Sequence, residues 1–421
     1  MGIAAKVGRY AAAGLAALVA LGSGADGARA AEPIKIGFSM PLTGGSANTG
    51  KVALAAMKIW EEDTNAKSGL LGRPVQLVYY DDQSMPSNVP AIYTKLLDVD
   101  KVDLVVGPYS TVLTAPAMPV VMAHDMVIVS FSTLNVNSRF HYSKYFAMTN
   151  TGPNPDPVFS HGFFAIAAQQ SPKPQSVAIV ASDQEFAKGA ADGARENAKA
   201  AGFRVVYDKT YPPATVDFSP IVRAVQAADP DLFFIASYPQ DSVGLVRAMS
   251  EIGYTPKMAG GAMVGLNIVT IKMQLGPLLN GIVGYENWLP APKMMFPGVQ
   301  DLLRKYQAVA QREGLDPLGY NTVPPAYAYV QALGEAVEAT KSLDQNKIAQ
   351  YLHSATLKTV WGDVKFGADG EWAEPRFLTV QYQNITGKTL DQFSDPRKIV
   401  ILDPPQYSSG KVIYPYAEAP K

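Results

Sequence analysis

Residues 103–133 constrain the fold more than any other stretch. They read Asp-Leu-Val-Val-Gly-Pro-Tyr-Ser-Thr, then a helix-length segment at 111–124, then Val-Ile-Val-Ser-Phe-Ser-Thr at 127–133. The short β-branched runs 104–106 and 127–129 suit buried parallel strands. Pro116 and Pro119 bend the helix between them or confine its regular part. Each strand ends in a polar tip, Tyr109-Ser110-Thr111 and Ser130-Phe131-Ser132-Thr133. In open α/β sheets ligands bind outside the carboxyl ends of strands, so the paired tips read as a receptor for a small polar or anionic group. Ser and Thr at such places also cap helices, and one tip alone would mean no more than that.

The rest of the chain repeats this alternation. Strands are predicted at 34–40, 75–80 and 145–148, with helices at 51–65 and 86–99. After a Thr/Asn/Gly/Pro-rich segment at 149–157 the pattern restarts. Strands fall at 177–181, 203–207 and 232–236, and helices at 185–201, 220–228 and 240–252. Two such series predict an α/β fold of two doubly wound parallel-sheet lobes joined by a multi-segment hinge. A second crossing is placed at 281–286. Helices at 299–314, 327–341 and 344–354 follow without strands between them and should return to the first lobe, before late strands at 359–366, 377–382 and 398–402. The lobes are therefore drawn as 31–150 plus 286–356 and 151–285 plus 357–421.

Residues 1–30 read as an export signal. Lys6 and Arg9 precede a short apolar run at 10–21, and Ala28-Arg29-Ala30 supplies the small-x-small pattern for cleavage after Ala30. The chain has no Cys, so the mature protein relies on its core and carries no lipid-modified Cys at that site. A net charge of −1 gives no electrostatic reason for a nucleic-acid partner.

Catalytic motifs fail on inspection. Gly45-Ser-Ala-Asn-Thr-Gly50-Lys51 begins like a phosphate-binding loop, but Val52 stands where the magnesium-holding hydroxyl belongs. The loop can still present N–H groups to an anion. His124, His141, His161 and His353 lack metal-ligand spacing, and no nucleophile elbow or zinc-protease motif occurs. Asp81 and Asp82 point to opposite faces of a strand and read as fold-stabilising. The aromatics of Tyr285-Glu-Asn-Trp288 read as packing residues, with a cleft position as the alternative. No metal, cofactor or catalytic group is expected.

Several segments together carry a resemblance. They are Pro41-Leu42-Thr43-Gly44, Asn65…Gly69-Leu-Leu-Gly-Arg-Pro74, Tyr80-Asp81-Asp82, Gly107-Pro108-Tyr109-Ser110-Thr111, Ser130-Phe131-Ser132-Thr133, Asp217-Phe218-Ser219 and Gly253-Tyr254. In this order they resemble the leucine/isoleucine/valine-binding proteins, the type I periplasmic receptors of ABC importers. The resemblance implies a monomer in the periplasm that closes two lobes on a small ligand and delivers it to a permease and ATPase complex. It implies a ligand carboxylate at Thr111 with Ser110, and at Ser132 with Thr133. It also implies an aromatic cover at Phe186 and a pocket segment at Ser237-Tyr238. The acid that pairs with an amino group in that family falls here at Ala262, with Asp183, Glu185, Asp241 and Glu286 as possible replacements.

The expected ligand is a small apolar carboxylate, either a branched-chain or other hydrophobic amino acid or an amine-free aromatic or aliphatic acid. An exported ligand sensor on the same fold is the alternative role. An α/β enzyme is the third reading, and it lacks a catalytic constellation.

Overall fold

The computed structural model describes residues 31–420. The export signal and its cleavage point after Ala30 lie outside the described residues.

The first unit alternates strand and helix without exception: β1 (Ile34–Met40), α1 (Ala47–Asn65), β2 (Val75–Asp81), α2 (Val89–Asp98), β3 (Leu104–Tyr109), α3 (Thr111–Ala123), β4 (Ile128–Phe131), α4 (Asn137–Phe140) and β5 (Tyr145–Met148). The sheet is wholly parallel, in the order β2-β1-β3-β4-β5. Its strands are apolar because helices cover both faces. The order reverses between β1 and β3, which places a ligand crevice at their carboxyl ends.

The second unit runs α5 (Pro155–Ala168), β6 (Ser176–Ser182), α6 (Glu185–Ala200), β7 (Arg204–Tyr211), α7 (Ser219–Ala227), β8 (Leu232–Ser237), α8 (Pro239–Ile252), β9 (Met258–Met263), α9 (Val269–Leu275) and β10 (Ile282–Glu286). Three helices follow, α10 (Val299–Glu313), α11 (Val323–Thr340) and α12 (Gln345–Ser354). Then come the hairpin β11 (Leu357–Thr359) and β12 (Gly362–Val364), and the strands β13 (Leu378–Tyr382) and β14 (Ile399–Asp403). The second sheet has the order β14-β13-β10-β9-β8-β6-β7, with β13 antiparallel to both neighbours.

Several features differ from the sequence reading. Residues 281–286 are not a crossing: Ile282–Glu286 is a fully buried strand between β9 and β13. Its glycines suggested a joint, yet Gly284 serves packing, since a Cβ there would stand 3.3 Å from the Tyr382 ring. Strand β9 and helix α5 were not foreseen. In β9 the run Met-Ala-Gly-Gly-Ala-Met hides a strand, because Gly260, at φ +136, lets the backbone pass where a Cβ would strike the Val283 carbonyl at 1.8 Å. In α5 the opening Pro-rich turn masked the helix behind it.

Helices α10 and α11 pack on α1, so the chain does return to the first sheet, as expected. The hairpin lies there too. β11 packs on α11, Phe366 meets Phe146 at 5.2 Å, and Ala147 N–H donates to the Gly370 carbonyl at 2.8 Å. These contacts place residues 357–370 against the first unit, although the sequence reading drew them with the second. Among the described residues no helix is long and apolar enough to cross a membrane.

Candidate functional site

The two polar tips of the opening stretch meet where the sequence placed them. Tyr109 on β3 registers with Phe131 on β4. Immediately beyond, Ser110 and Ser132 hold positive φ angles of 77° and 52°. Non-glycine residues reach this region only where the surroundings enforce it, and such turns concentrate at binding sites. Ser110 is the N-cap of α3, so the unpaired first-turn N–H groups of that helix lie beside the tip.

The hydroxyls at the tips are not equivalent. Ser110 Oγ is buried and has no hydrogen-bond partner among the described residues. Thr111 Oγ1 accepts the Leu134 N–H at 2.9 Å, which leaves its own proton free to donate. Thr133 is committed to the scaffold. Its N–H donates to Thr149 Oγ1 at 3.0 Å, and its hydroxyl joins Ser130 Oγ and Tyr145 OH in a closed cluster at 2.8–2.9 Å.

Asp81 and Asp82 support the neighbouring loop. Asp81 accepts from the Leu42, Thr43 and Gln83 N–H groups and from the Thr43 hydroxyl; these bonds, together opposing its partial desolvation, lower its pKa. Asp82 is fully buried and accepts the Ser39 hydroxyl at 2.9 Å; burial pushes its carboxyl up to about 6. The pinned loop sets the start of α1, from which Thr49 reaches the cavity beside Tyr109. Burial pushes the Tyr109 phenol up to about 12, with the Thr49 hydroxyl opposing the shift, so it stays neutral.

The second unit supplies an aromatic wall. Phe186 opens α6, Tyr238 precedes α8, Tyr285 lies in β10 and Phe159 comes from α5. Phe159 meets Phe186 edge-on at 5.1 Å and Tyr285 at 5.2 Å, and Phe186 meets Tyr238 at 6.0 Å. These are the tilted and edge geometries that aromatic rings favour. Between this wall and the tips lies a cavity of about 70 Å³, counted as room for the centre of a water molecule. That is several times the room one ordered water needs. Tyr238 OH and Asn267 Oδ1, both in its lining, are buried without a partner at hydrogen-bond distance. Among the described residues no charged side chain lines it.

Seven residues expected from sequence therefore share one cavity: Tyr109, Ser110, Thr111, Ser132, Thr133, Phe186 and Tyr238. Two do not. Ser237 Oγ bonds Ser242 Oγ at 2.8 Å inside the second unit, because alternation along β8 turns it away from the face Tyr238 serves. Ala262, one residue before the end of β9, is wholly buried among the apolar residues of the second sheet and is not among the lining residues.

None of the four candidate acids is among the described lining residues, and each has a partner elsewhere, although Glu286 Oε2 is buried without one. Asp183 pairs with Lys188 at 3.1 Å, Glu185 with Arg139 at 2.5 Å, and buried Glu286 with Lys272. Asp241 accepts the Tyr211 hydroxyl at 3.1 Å. The sequence reading missed Thr49, Phe159, Asn267 and Asn321, and gave Tyr285 to packing. Phe159 was hidden with α5, while Asn267 and Asn321 follow elements whose ends carried no polar cluster to mark them.

The chain resembles known proteins along most of its length. A family model described as periplasmic binding protein matches residues 33–385. An amino acid binding protein of Pseudomonas aeruginosa is 25% identical over 354 residues, covering 83% of this chain and 90% of that protein. The leucine-, isoleucine-, valine-, threonine- and alanine-binding protein of the same organism is 24% identical over 377 residues, covering 89% and 96%. Among solved structures, an ABC transporter solute-binding protein from Rhodopseudomonas palustris, in complex with 3,4-dihydroxy benzoic acid, superposes with a TM-score of 0.71. It is 17% identical and covers 84% of this chain and 94% of that one.

Proposed function

The chain belongs to the periplasmic binding protein family, of the leucine/isoleucine/valine-binding type I kind, and on that premise we propose that it captures a small amine-free aromatic carboxylate. One observation carries this reading. Among the described residues, the cavity joins an unpartnered hydroxyl at a helix N-terminus to an aromatic wall, with no charged side chain in its lining. A carboxylate finds donors there in the Ser110 and Thr111 hydroxyls and the first turn of α3. An α-ammonium finds no anion, and a buried unpaired charge is costly. Five rings, Tyr109, Phe159, Phe186, Tyr238 and Tyr285, suit a flat body. The lining also holds no carboxylate or imidazole to activate a nucleophile, which supports capture without turnover.

In this reading the protein is exported by residues 1–30, works as a monomer and hands its ligand to a membrane permease and ATPase. We draw one lobe as the first sheet with α10 to α12 and the hairpin packed on it, and the other as the second sheet with β13 and β14, and ligand contacts from both favour the closed state. A hydrophobic amino acid is the second reading. Asn267 Oδ1 and the ring faces are its only support, as weak acceptors for an ammonium.

Calorimetry on unfolded-and-refolded protein tests the choice. Benzoate and 3-phenylpropanoate should bind, and phenylalanine and leucine should not. Binding of leucine or phenylalanine with none of the deaminated acids would overturn the assignment, and scattering should show compaction with the ligand that binds.

A further inference from the structure

A second concave site lies on the other side of the aromatic wall. Phe377 stacks on Tyr285 at 4.9 Å and meets Phe159 edge-on at 4.6 Å. Both of those rings line the first cavity, while Phe377 lines another, of about 520 Å³. This second cavity is bounded by α5, through Val158 and His161, and by the end of β14, through Asp403, Pro404 and Pro405. Its floor is tight. At Gly162 of α5 a Cβ would stand 2.0 Å from Thr379 Oγ1 and 3.3 Å from the Asp403 Cβ.

Asp403 is half-buried, whereas the acids without a side-chain partner in the other grooves, Glu62, Glu313 and Glu374, are exposed. The acids of the groove between α1 and α11 are engaged: Asp63 holds Lys305, Glu338 holds Lys341 and Glu335 holds the Tyr351 hydroxyl. Asp363, in the groove beside Arg376, holds Lys358. The Asp403 carboxylate, partly buried, makes no hydrogen bond or ion pair among the described residues. Burial raises its carboxyl pKa, and His161 opposes that shift. His161 is the other titratable group in the lining.

A single anionic group, walled by a phenyl ring, prolines and a valine, is complementary to a monocation with an apolar body. A hydrated metal ion would need several more oxygen ligands, and among the described residues no group of acids and histidines could hold one. A concave apolar site with one placed charge is the usual form of a small-molecule pocket.

We infer that the cavity between α5 and the end of β14 is a second binding site, for a small organic ammonium whose charge meets Asp403 and whose apolar body lies on Phe377 and the prolines. The inference does not depend on what the first cavity binds. An occupant would touch the ring that backs the wall of the first cavity, so the two sites share a structural element.

The test is calorimetry of the mature chain with benzylammonium chloride. One saturable site is expected. Asp403→Asn, which keeps shape and removes charge, should weaken it at least tenfold. His161→Trp, at an exposed position on the rim, should do the same by filling the space, with the thermal midpoint of both variants unchanged. Benzyl alcohol should bind at least tenfold more weakly than benzylammonium. Absence of saturable binding, equal affinity in both variants, or equal affinity for the neutral alcohol would each overturn the site.

Discussion

Arg139 and Glu185 meet between the two units, with guanidinium Nη2 2.5 Å from carboxylate Oε1. Arg139 belongs to α4 of the first unit. Glu185 opens α6 of the second and precedes Phe186 in the cavity lining. The pair is thus a clasp next to the ligand wall. Both side chains are about half exposed, so its worth is that of a surface pair, screened by salt. Glu185→Gln should weaken ligand binding about two- to fivefold at low ionic strength and hardly at all at high salt. Calorimetry at two salt concentrations checks this, and an equal loss in both would show that the effect is not the ion pair.

Ser110 offers a sharper case. Its hydroxyl serves no other group of the described protein, so its removal should cost the fold nothing. Ser110→Ala should bind the carboxylate about ten- to a hundredfold more weakly, the loss of one charge-assisted hydrogen bond. The unfolding midpoint should stay where it is. A variant that unfolds earlier but binds as before would reassign Ser110 to the scaffold.

Phe186 tests the body of the ligand. It packs edge-on to Phe159 at 5.1 Å and faces Tyr238. Phe186→Leu keeps apolar area but removes the ring. It should lower affinity for 3-phenylpropanoate by about two- to tenfold more than for 4-methylpentanoate, the share that ring geometry adds to burial. Equal losses would mean that the wall reads size and not aromaticity.

Glu371 governs a pH dependence. It is buried, neither carboxylate oxygen has a partner among the described residues, and burial, with Asp369 and Asp156 nearby, pushes its carboxyl up to about 8. In the unfolded chain it loses its proton near the ordinary glutamate value. The folded chain holds that proton to about 8, so its contribution is full below about 4.5 and is lost as pH rises from there to about 8. Glu371→Gln should flatten this fall and raise the thermal midpoint at pH 8.5 by a few degrees. A midpoint below that of the parent protein at every pH would show that the buried carboxyl makes contacts worth more than its neutrality.

The alternation of β-branched runs with helical segments was enough to give the parallel first sheet, the parallel strands β6, β7 and β8 of the second and the return of α10 and α11 to α1, because strand and helix periods are local properties. The paired hydroxyl tips at Ser110 and Ser132 were legible for the same reason: a strand end followed by Ser or Thr has one place to go in a doubly wound sheet. Strand β9 was not legible, since its two glycines matter only through neighbouring strands, Gly260 against the Val283 backbone and Gly261 against the Phe234 ring and the Ile235 carbonyl.

What only the tertiary structure decided is which groups face each other across the cleft. Ser237 and Tyr238 are adjacent in the chain, yet one bonds Ser242 and the other lines the cavity. Glu185, Asp183, Asp241 and Glu286 were all candidates for an ammonium until Arg139, Lys188, Tyr211 and Lys272 were found to hold them. The sequence by itself determined most of the elements, because backbone periodicity and side-chain patterning act over a few residues. The charge balance of the site was decided by contacts between residues far apart in the chain. Those depend on how helices and sheets pack, which no local pattern encodes.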